Sequence, residues 1–158
     1  MVGLGNPDRG DDGVGALVVE RLKGRLPAAV ALAVRRADML ALIEDWARFD
    51  AVLCVDAAAP CGSPGRVERL EPRRGDWVAQ TPATSSHALG LAEAVELAAA
   101  IGIAPKELIV YAIEGDCFEP GAGVTAAVAA AAEAAAQAIV AEVERWCRKK
   151  IQRSDRDA

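Results

Sequence analysis

Asp12, Asp56 and His87 have the side-chain types and the placement to act together on one ligand, and His87 is the single histidine in the chain. Two carboxylates and one imidazole can hold a divalent ion while leaving positions open for water or a substrate, and such N/O donors suit nickel, zinc, iron or manganese without choosing among them. Each residue also has a plainer use. Asp12 can cap a helix, Asp56 can bind backbone amides in a loop, and His87 can sit on the surface or cap a helix. No Ser/His/Asp nucleophile set is apparent, and Cys54, Cys61, Cys117 and Cys147 have no neighbouring base in sequence. Those cysteines also lie too far apart for a CxxC pair, so they read as separate cytosolic thiols.

The elements that must position these residues are legible in the hydrophobic pattern. The stretch GLGNPDRGDDGVG, Gly3 to Gly15, is a glycine turn running into two adjacent aspartates. Val14, Leu17, Val18 and Leu22 then recur at helical spacing, which places Asp11 and Asp12 at a helix N-terminus, where the helix dipole favours anions. A dinucleotide fingerprint is not met, because its third glycine would fall at Asp8. Val30 to Arg36 reads as a strand, and Leu40, Ile43 and Ala47 mark a second helix. Ala51 to Val55 is a continuous apolar run ending at Asp56, as expected of a strand buried on both faces of a parallel sheet. Gly65 to Leu70 alternates like an edge strand, and Glu71 to Ser85 is a polar loop. Ser86 to Ala100 reads as a helix, Leu108 to Ile113 as another buried strand, and Val124 to Val140 as a long Ala-rich helix.

This β/α alternation predicts an α/β fold, a three-layer α/β/α sandwich on a mostly parallel twisted sheet of about five strands. Residues 1-147 form one domain in this reading, and 148-158 form a charged, disordered tail. In open α/β sheets ligands gather beyond the carboxyl ends of strands, which is where all three candidate residues are expected. An apolar content of 53% supplies a core, whereas a net charge of -5 and 4% aromatic residues argue against a nucleic-acid surface. Glu133 and Gln137 interrupt the Ala-rich run, so it is expected to be a packed helix and not a membrane span. No basic-then-apolar leader precedes the glycine loop, and the expected location is the cytoplasm.

Taken together, GLGNPDRGDDGVG, CVDAAAPCGSPG, SSHALGLAEAVELA and YAIEGDCFEPGAGVT, in this order and spacing, resemble the hydrogenase maturation proteases. The resemblance covers most of the chain. It implies an endopeptidase that removes the C-terminal extension of a nickel-iron hydrogenase large-subunit precursor once nickel has been inserted. It places the metal-contacting residues, which are also the catalytic ones, on Asp12, Asp56 and His87. The nickel would arrive with the substrate, and cadmium or zinc would fit the same donors. The partner implied is the large-subunit precursor, engaged by a monomer. Asn6, Ser86, Gly121, Gly123 and Thr125 are further candidates for holding the loop, capping the His87 helix and lining the substrate groove. Glu114 is expected either behind His87 or in a structural salt link. Trp46, Trp77 and Trp146 read as packing residues.

The sequence departs from the family in two places. Only Met1 and Val2 precede Gly3, where many members begin several apolar residues earlier, so the expectation is a start placed too late or a shortened first strand. Arg36-Ala37-Asp38-Met39 stands where many members carry Asp-Gly-Gly-Thr, which suggests a divergent branch. Two competing readings remain. The opening Val2 to Pro7 also resembles peptidyl-tRNA hydrolase, whose catalytic histidine has no counterpart before His87. A non-catalytic metal-sensing chaperone of the precursor would carry the same residues.

Overall fold

In the computed structural model, which describes residues 1–36, 39–72 and 86–154, a five-stranded sheet has the order β2-β1-β3-β5-β4. The strands are β1 (Val2–Leu4), β2 (Ala33–Arg35), β3 (Ala51–Ala58), β4 (Val67–Leu70) and β5 (Glu107–Glu114). Neighbours run parallel except β4, which closes one edge antiparallel to β5. The helices are α1 (Val14–Leu22), α2 (Met39–Trp46), α3 (Ser86–Ala100) and α4 (Ala126–Ser154).

The period of two along β3 and β5 sorts the core into two layers. Leu53, Val55, Ala57, Ile109, Tyr111 and Ile113 pack against α1 and α4. Val52, Cys54 and Val110 face the other way, onto Leu42, Ile43 and Trp46 of α2 and Leu91, Ala94 and Ala98 of α3. The result is the expected α/β/α sandwich. Asp56, Ala58, Ala112 and Glu114 share the parity of Cys54 and Val110, so they lie on the α2/α3 side of the sheet.

Small residues set the closest approaches. A Cβ added at Gly15 would lie 2.3 Å from the Leu4 carbonyl oxygen and 2.9 Å from that of Val55, so α1 rests directly on the backbones of β1 and β3. On α4, Val128, Ala131, Ala132, Ala135, Ala136, Ile139 and Val143 form one buried stripe at helical spacing. From Ala126 to Lys149 this helix is long and apolar enough to cross a membrane by length and composition, but here its stripe is part of the core.

Several boundaries differ from expectation. β2 is confined to Ala33–Arg35, because β1 offers only three residues for it to pair with. β3 continues past Val55 through Ala58, since its partner β5 pairs with it to the end, and Asp56 is therefore within the strand. Asp11 and Asp12 lie in a 3-10 turn, Gly10–Gly13, that precedes α1. α4 runs on through Ser154 where a disordered tail from Arg148 is expected from sequence. Its charges support the helix: Arg145 pairs with Glu142 and Arg148 with Glu144, and basic side chains near a helix C-terminus complement its dipole. Trp46 is buried as a packing residue and Trp146 is half-buried against the α4 core. Trp77, most of the Glu71 to Ser85 loop, Ala37 and Asp38 lie outside the described residues.

Candidate active site

The strand order reverses between β1 and its neighbours: the chain moves from β1 outward to β2, then returns to place β3 on the opposite side of β1. The crevice beyond the carboxyl ends of β1 and β3 is thus a topological switch point, the usual place for a ligand in an open α/β sheet. Asp12 follows β1 and Asp56 lies near the end of β3, so both candidate acids belong to this crevice.

Asp12 is fixed by the turn that leads into it. Gly5 has φ +107°, and a Cβ there would come within 2.0 Å of the Asp12 carbonyl oxygen and 3.1 Å of its Oδ1. Only glycine lets the chain fold this tightly over the aspartate. The Asn6 N–H donates to Asp12 Oδ2 at 2.9 Å, and the Asn6 side-chain oxygen accepts the Asp8 N–H at 3.0 Å. Asn6 therefore holds the loop by its side chain while its backbone orients Asp12. Asp8 is steadied by Arg36 at 2.7 Å.

Asp56 is buried, with Oδ1 accepting the Ala57 N–H at 2.9 Å. His87 is the second residue of α3. The C-terminal end of α3 lies where β3 and β5 begin, because the Ile103 N–H bonds the Ala98 oxygen and the Glu107 N–H bonds the Asp50 oxygen. From there the helix, about 22 Å long, packs Leu91, Ala94 and Ala98 into the core layer that also holds Val2, Leu4, Val52 and Cys54. The side chains of Ser86 and His87 lie outside the described residues. Among the described residues no three His, Cys, Asp or Glu side chains form a metal-holding cluster. Asp12 and Asp56 are both buried beside the crevice.

The residue next to Asp12 has a role that local sequence pattern does not reveal. Asp11 is fully buried, and its carboxylate gathers the loop between β5 and α4. Oδ2 accepts the Asp116 N–H at 2.8 Å, the Cys117 N–H at 3.0 Å and the Thr125 hydroxyl at 3.1 Å, while Oδ1 accepts the Thr125 N–H at 2.7 Å. Burial alone would raise its pKa. The N–H groups of Cys117, Asp116 and Thr125 together with the Thr125 hydroxyl outweigh that effect and hold it below the usual carboxylate range. Both Thr125 donors are thereby engaged by Asp11, and the Gly121 N–H is given to the Asp8 oxygen at 2.8 Å. These two amides, expected to line a substrate groove, are used to join the loops. Gly123 is exposed on the same loop. The doubled aspartate is the only signal of this clamp in the sequence.

Glu114 is a clamp of a second kind. Its Oε1 accepts the Cys61 and Ser63 N–H groups, each at 2.6 Å, and its backbone bonds Gly65 and Arg66. It is a strand-to-loop tie holding the 61–66 loop beside β5. Cys54, by contrast, offers no nucleophile: burial pushes its thiol up to about 12.

With this geometry in place, known proteins give a consistent match. The family described as hydrogenase maturation protease, HycI, matches residues 18–142. The solved structure of the hydrogenase maturating endopeptidase HybD from E. coli is 27% identical, with a TM-score of 0.75 over 91% of this chain and 90% of that one. An endopeptidase from Escherichia coli solved in solution is 28% identical, with a TM-score of 0.78 over 92% and 93%. The hydrogenase 2 maturation peptidase from Thaumarchaeota archaeon SCGC_AB-539-E09 is 27% identical, with a TM-score of 0.66 over 90% and 95%. No curated protein sequence matches the chain.

Proposed function

The chain belongs to the hydrogenase maturation protease family, and from that premise we propose that it is the endopeptidase that trims the C-terminal extension of a hydrogenase large-subunit precursor after nickel insertion. One observation carries the site assignment: two buried carboxylates, Asp12 in the 3-10 turn that follows β1 and Asp56 in the neighbouring strand β3, border the switch point, one of them held by a turn that only glycine permits.

In this reading Asp12, Asp56 and His87 engage the nickel that the precursor itself carries. Ionised carboxylates are acceptor-only groups, and with an imidazole they make a donor set suited to a borderline divalent ion. An ion in such a position supplies Lewis-acid polarisation of a peptide carbonyl or of water. The protein's own contribution is positioning. The Asn6 N–H and the Gly5 turn orient Asp12, the β3 backbone orients Asp56, and the Asp11 clamp fixes the facing loop. Reading the nickel as part of the substrate makes the enzyme a checkpoint, since a precursor lacking the ion brings no cation to the two carboxylates. The peptidyl-tRNA hydrolase alternative is set aside by family membership.

The test is a panel of Asp12→Ala, Asp56→Ala and His87→Ala proteins incubated with a purified precursor, with circular dichroism as the fold control. Each variant is expected to keep the wild-type spectrum and to leave the precursor at full length. Near-normal trimming by any one of them removes that residue from the site.

A further inference from the structure

Resting on that reading, we propose that Arg9 is a substrate-recognition residue, a guanidinium displayed at the rim of the crevice to receive a carboxylate of the precursor segment that carries the scissile bond. Arg9 belongs to the loop between β1 and the 3-10 turn that holds Asp11 and Asp12. Its carbonyl oxygen accepts the Asp12 N–H at 3.1 Å, the three-residue step of that turn, which sets the two backbones about 6 Å apart along its axis. A group bound by Arg9 therefore stands close to whatever Asp12 holds.

The backbone at this position is fixed and the charge it carries is not engaged. The Arg9 N–H donates to the Asn6 carbonyl oxygen at 3.1 Å, and the Asp8 N–H to Asn6 Oδ1 at 3.0 Å. On either side of Arg9 the loop is tied to the segment after β5: the Gly121 N–H donates to the Asp8 oxygen at 2.8 Å, and the Gly10 N–H to the Ala122 oxygen at 3.0 Å. Arg9 itself is exposed, and its guanidinium makes no hydrogen bond or ion pair among the described residues. Arg36 and Arg66, at the same edge of the sheet, are committed to Asp8 and Glu68, each at 2.7 Å. Acids are also gathered at this edge, Asp12 and Asp56 buried, Asp116 and Glu119 exposed on the loop after β5. They favour a metal ion and repel a carboxylate, so an acidic group of the precursor is received where Arg9 offers its charge. The guanidinium fork matches a carboxylate with two parallel hydrogen bonds, and a backbone already held in place lowers the ordering cost of forming them.

Arg9→Ala, Arg9→Lys and Arg9→Glu test this on the nickel-loaded hydrogenase precursor, with urea unfolding as the fold control. The side chain forms no polar contact within the protein, so all three variants should keep the wild-type midpoint. Arg9→Ala should lose about tenfold in kcat/KM, the scale of one charge-assisted hydrogen bond, as a raised KM at unchanged kcat. Arg9→Lys, which keeps the charge without the fork, should lose less, and Arg9→Glu should lose most. Two sets of altered precursor separate the sources of the carboxylate. In one, each Asp or Glu near the cleavage position is changed in turn to Gln; in the other, a short Gly/Ser run follows the last residue and moves the terminal carboxylate away. One of these changes should cost wild type about tenfold and Arg9→Ala nothing further. Where the carboxylate is a side chain, Lys in its place should be processed better by Arg9→Glu than by wild type. Wild-type kinetics in Arg9→Ala, a lowered urea midpoint in that variant, or losses that simply multiply for every altered precursor, overturn the recognition role while leaving the proposed function standing. A wild type that trims no precursor at all overturns the function and the role of Arg9 with it.

Discussion

Replacing Asp11 with alanine should do more damage than its position beside the candidate ligand Asp12 suggests. Its carboxylate is the acceptor for three backbone N–H groups and one hydroxyl, all from the 116–125 segment. Each buried donor stranded by the truncation costs about 1–3 kcal/mol, and water entering the vacated space recovers part of that. The net loss should be about 3–5 kcal/mol, the range for removing one partner of a buried charged network. For a domain of this size that corresponds to a fall in Tm of about 10 °C. Urea unfolding followed by circular dichroism measures it as a lower midpoint at unchanged slope. Asp11→Asn, which keeps one acceptor oxygen, should fall between the two. The pH dependence has a definite sign. The folded-state pKa of Asp11 lies below its unfolded value of about 3.9, so its contribution is fully present above that value and is lost as pH falls through the folded-state pKa. The stability gap between wild type and Asp11→Asn should therefore be full at neutral pH and narrow below about pH 4. A destabilisation under about 1 kcal/mol for the alanine variant, or a gap that does not change with pH, would refute the clamp.

Other outcomes follow from the same contacts. Gly15→Ala puts a methyl group 2.3 Å from the Leu4 oxygen, so α1 must lift from β1; a loss of about 1–3 kcal/mol in urea unfolding is expected. Arg69→Met leaves the buried Glu142 with only the half-exposed Arg145 in place of its 3.0 Å bond to Arg69 Nε, which should cost about 2 kcal/mol, read as a lower Tm. Gly5→Ala, at φ +107° and against the Asp12 backbone, should abolish processing even where the protein remains folded, with precursor mass and circular dichroism as the paired readouts.

What the sequence reveals here is what depends on local pattern. The buried runs at Ala51 to Val55 and Leu108 to Ile113 announce parallel strands because both of their faces are covered, and the polar residues just past them locate the crevice. The Ser86 to Ala100 helix has the bounds that its pattern predicts. What the sequence conceals is long-range pairing. Asp11 reaches partners 105 to 114 residues away, and nothing in its neighbourhood distinguishes it from Asp12. Thr125 and Gly121 read as groove residues because loops after strands carry function, yet their donors are consumed by Asp11 and Asp8. The continuation of α4 through a highly charged segment is also hidden, since charge alone does not tell a solvated helix from a tail. Position at strand ends and family resemblance both point to Asp12, Asp56 and His87 in the sequence, and the fold sets Asp12 after β1 and Asp56 in the neighbouring β3.

The most direct measurement is the mass of a hydrogenase large-subunit precursor, prepared with and without nickel, before and after incubation with this protein. Loss of a C-terminal fragment from the nickel-loaded form alone is the predicted result. Equal trimming of both forms would contradict the metal checkpoint at Asp12, Asp56 and His87, and an unchanged mass in both would contradict the endopeptidase assignment itself.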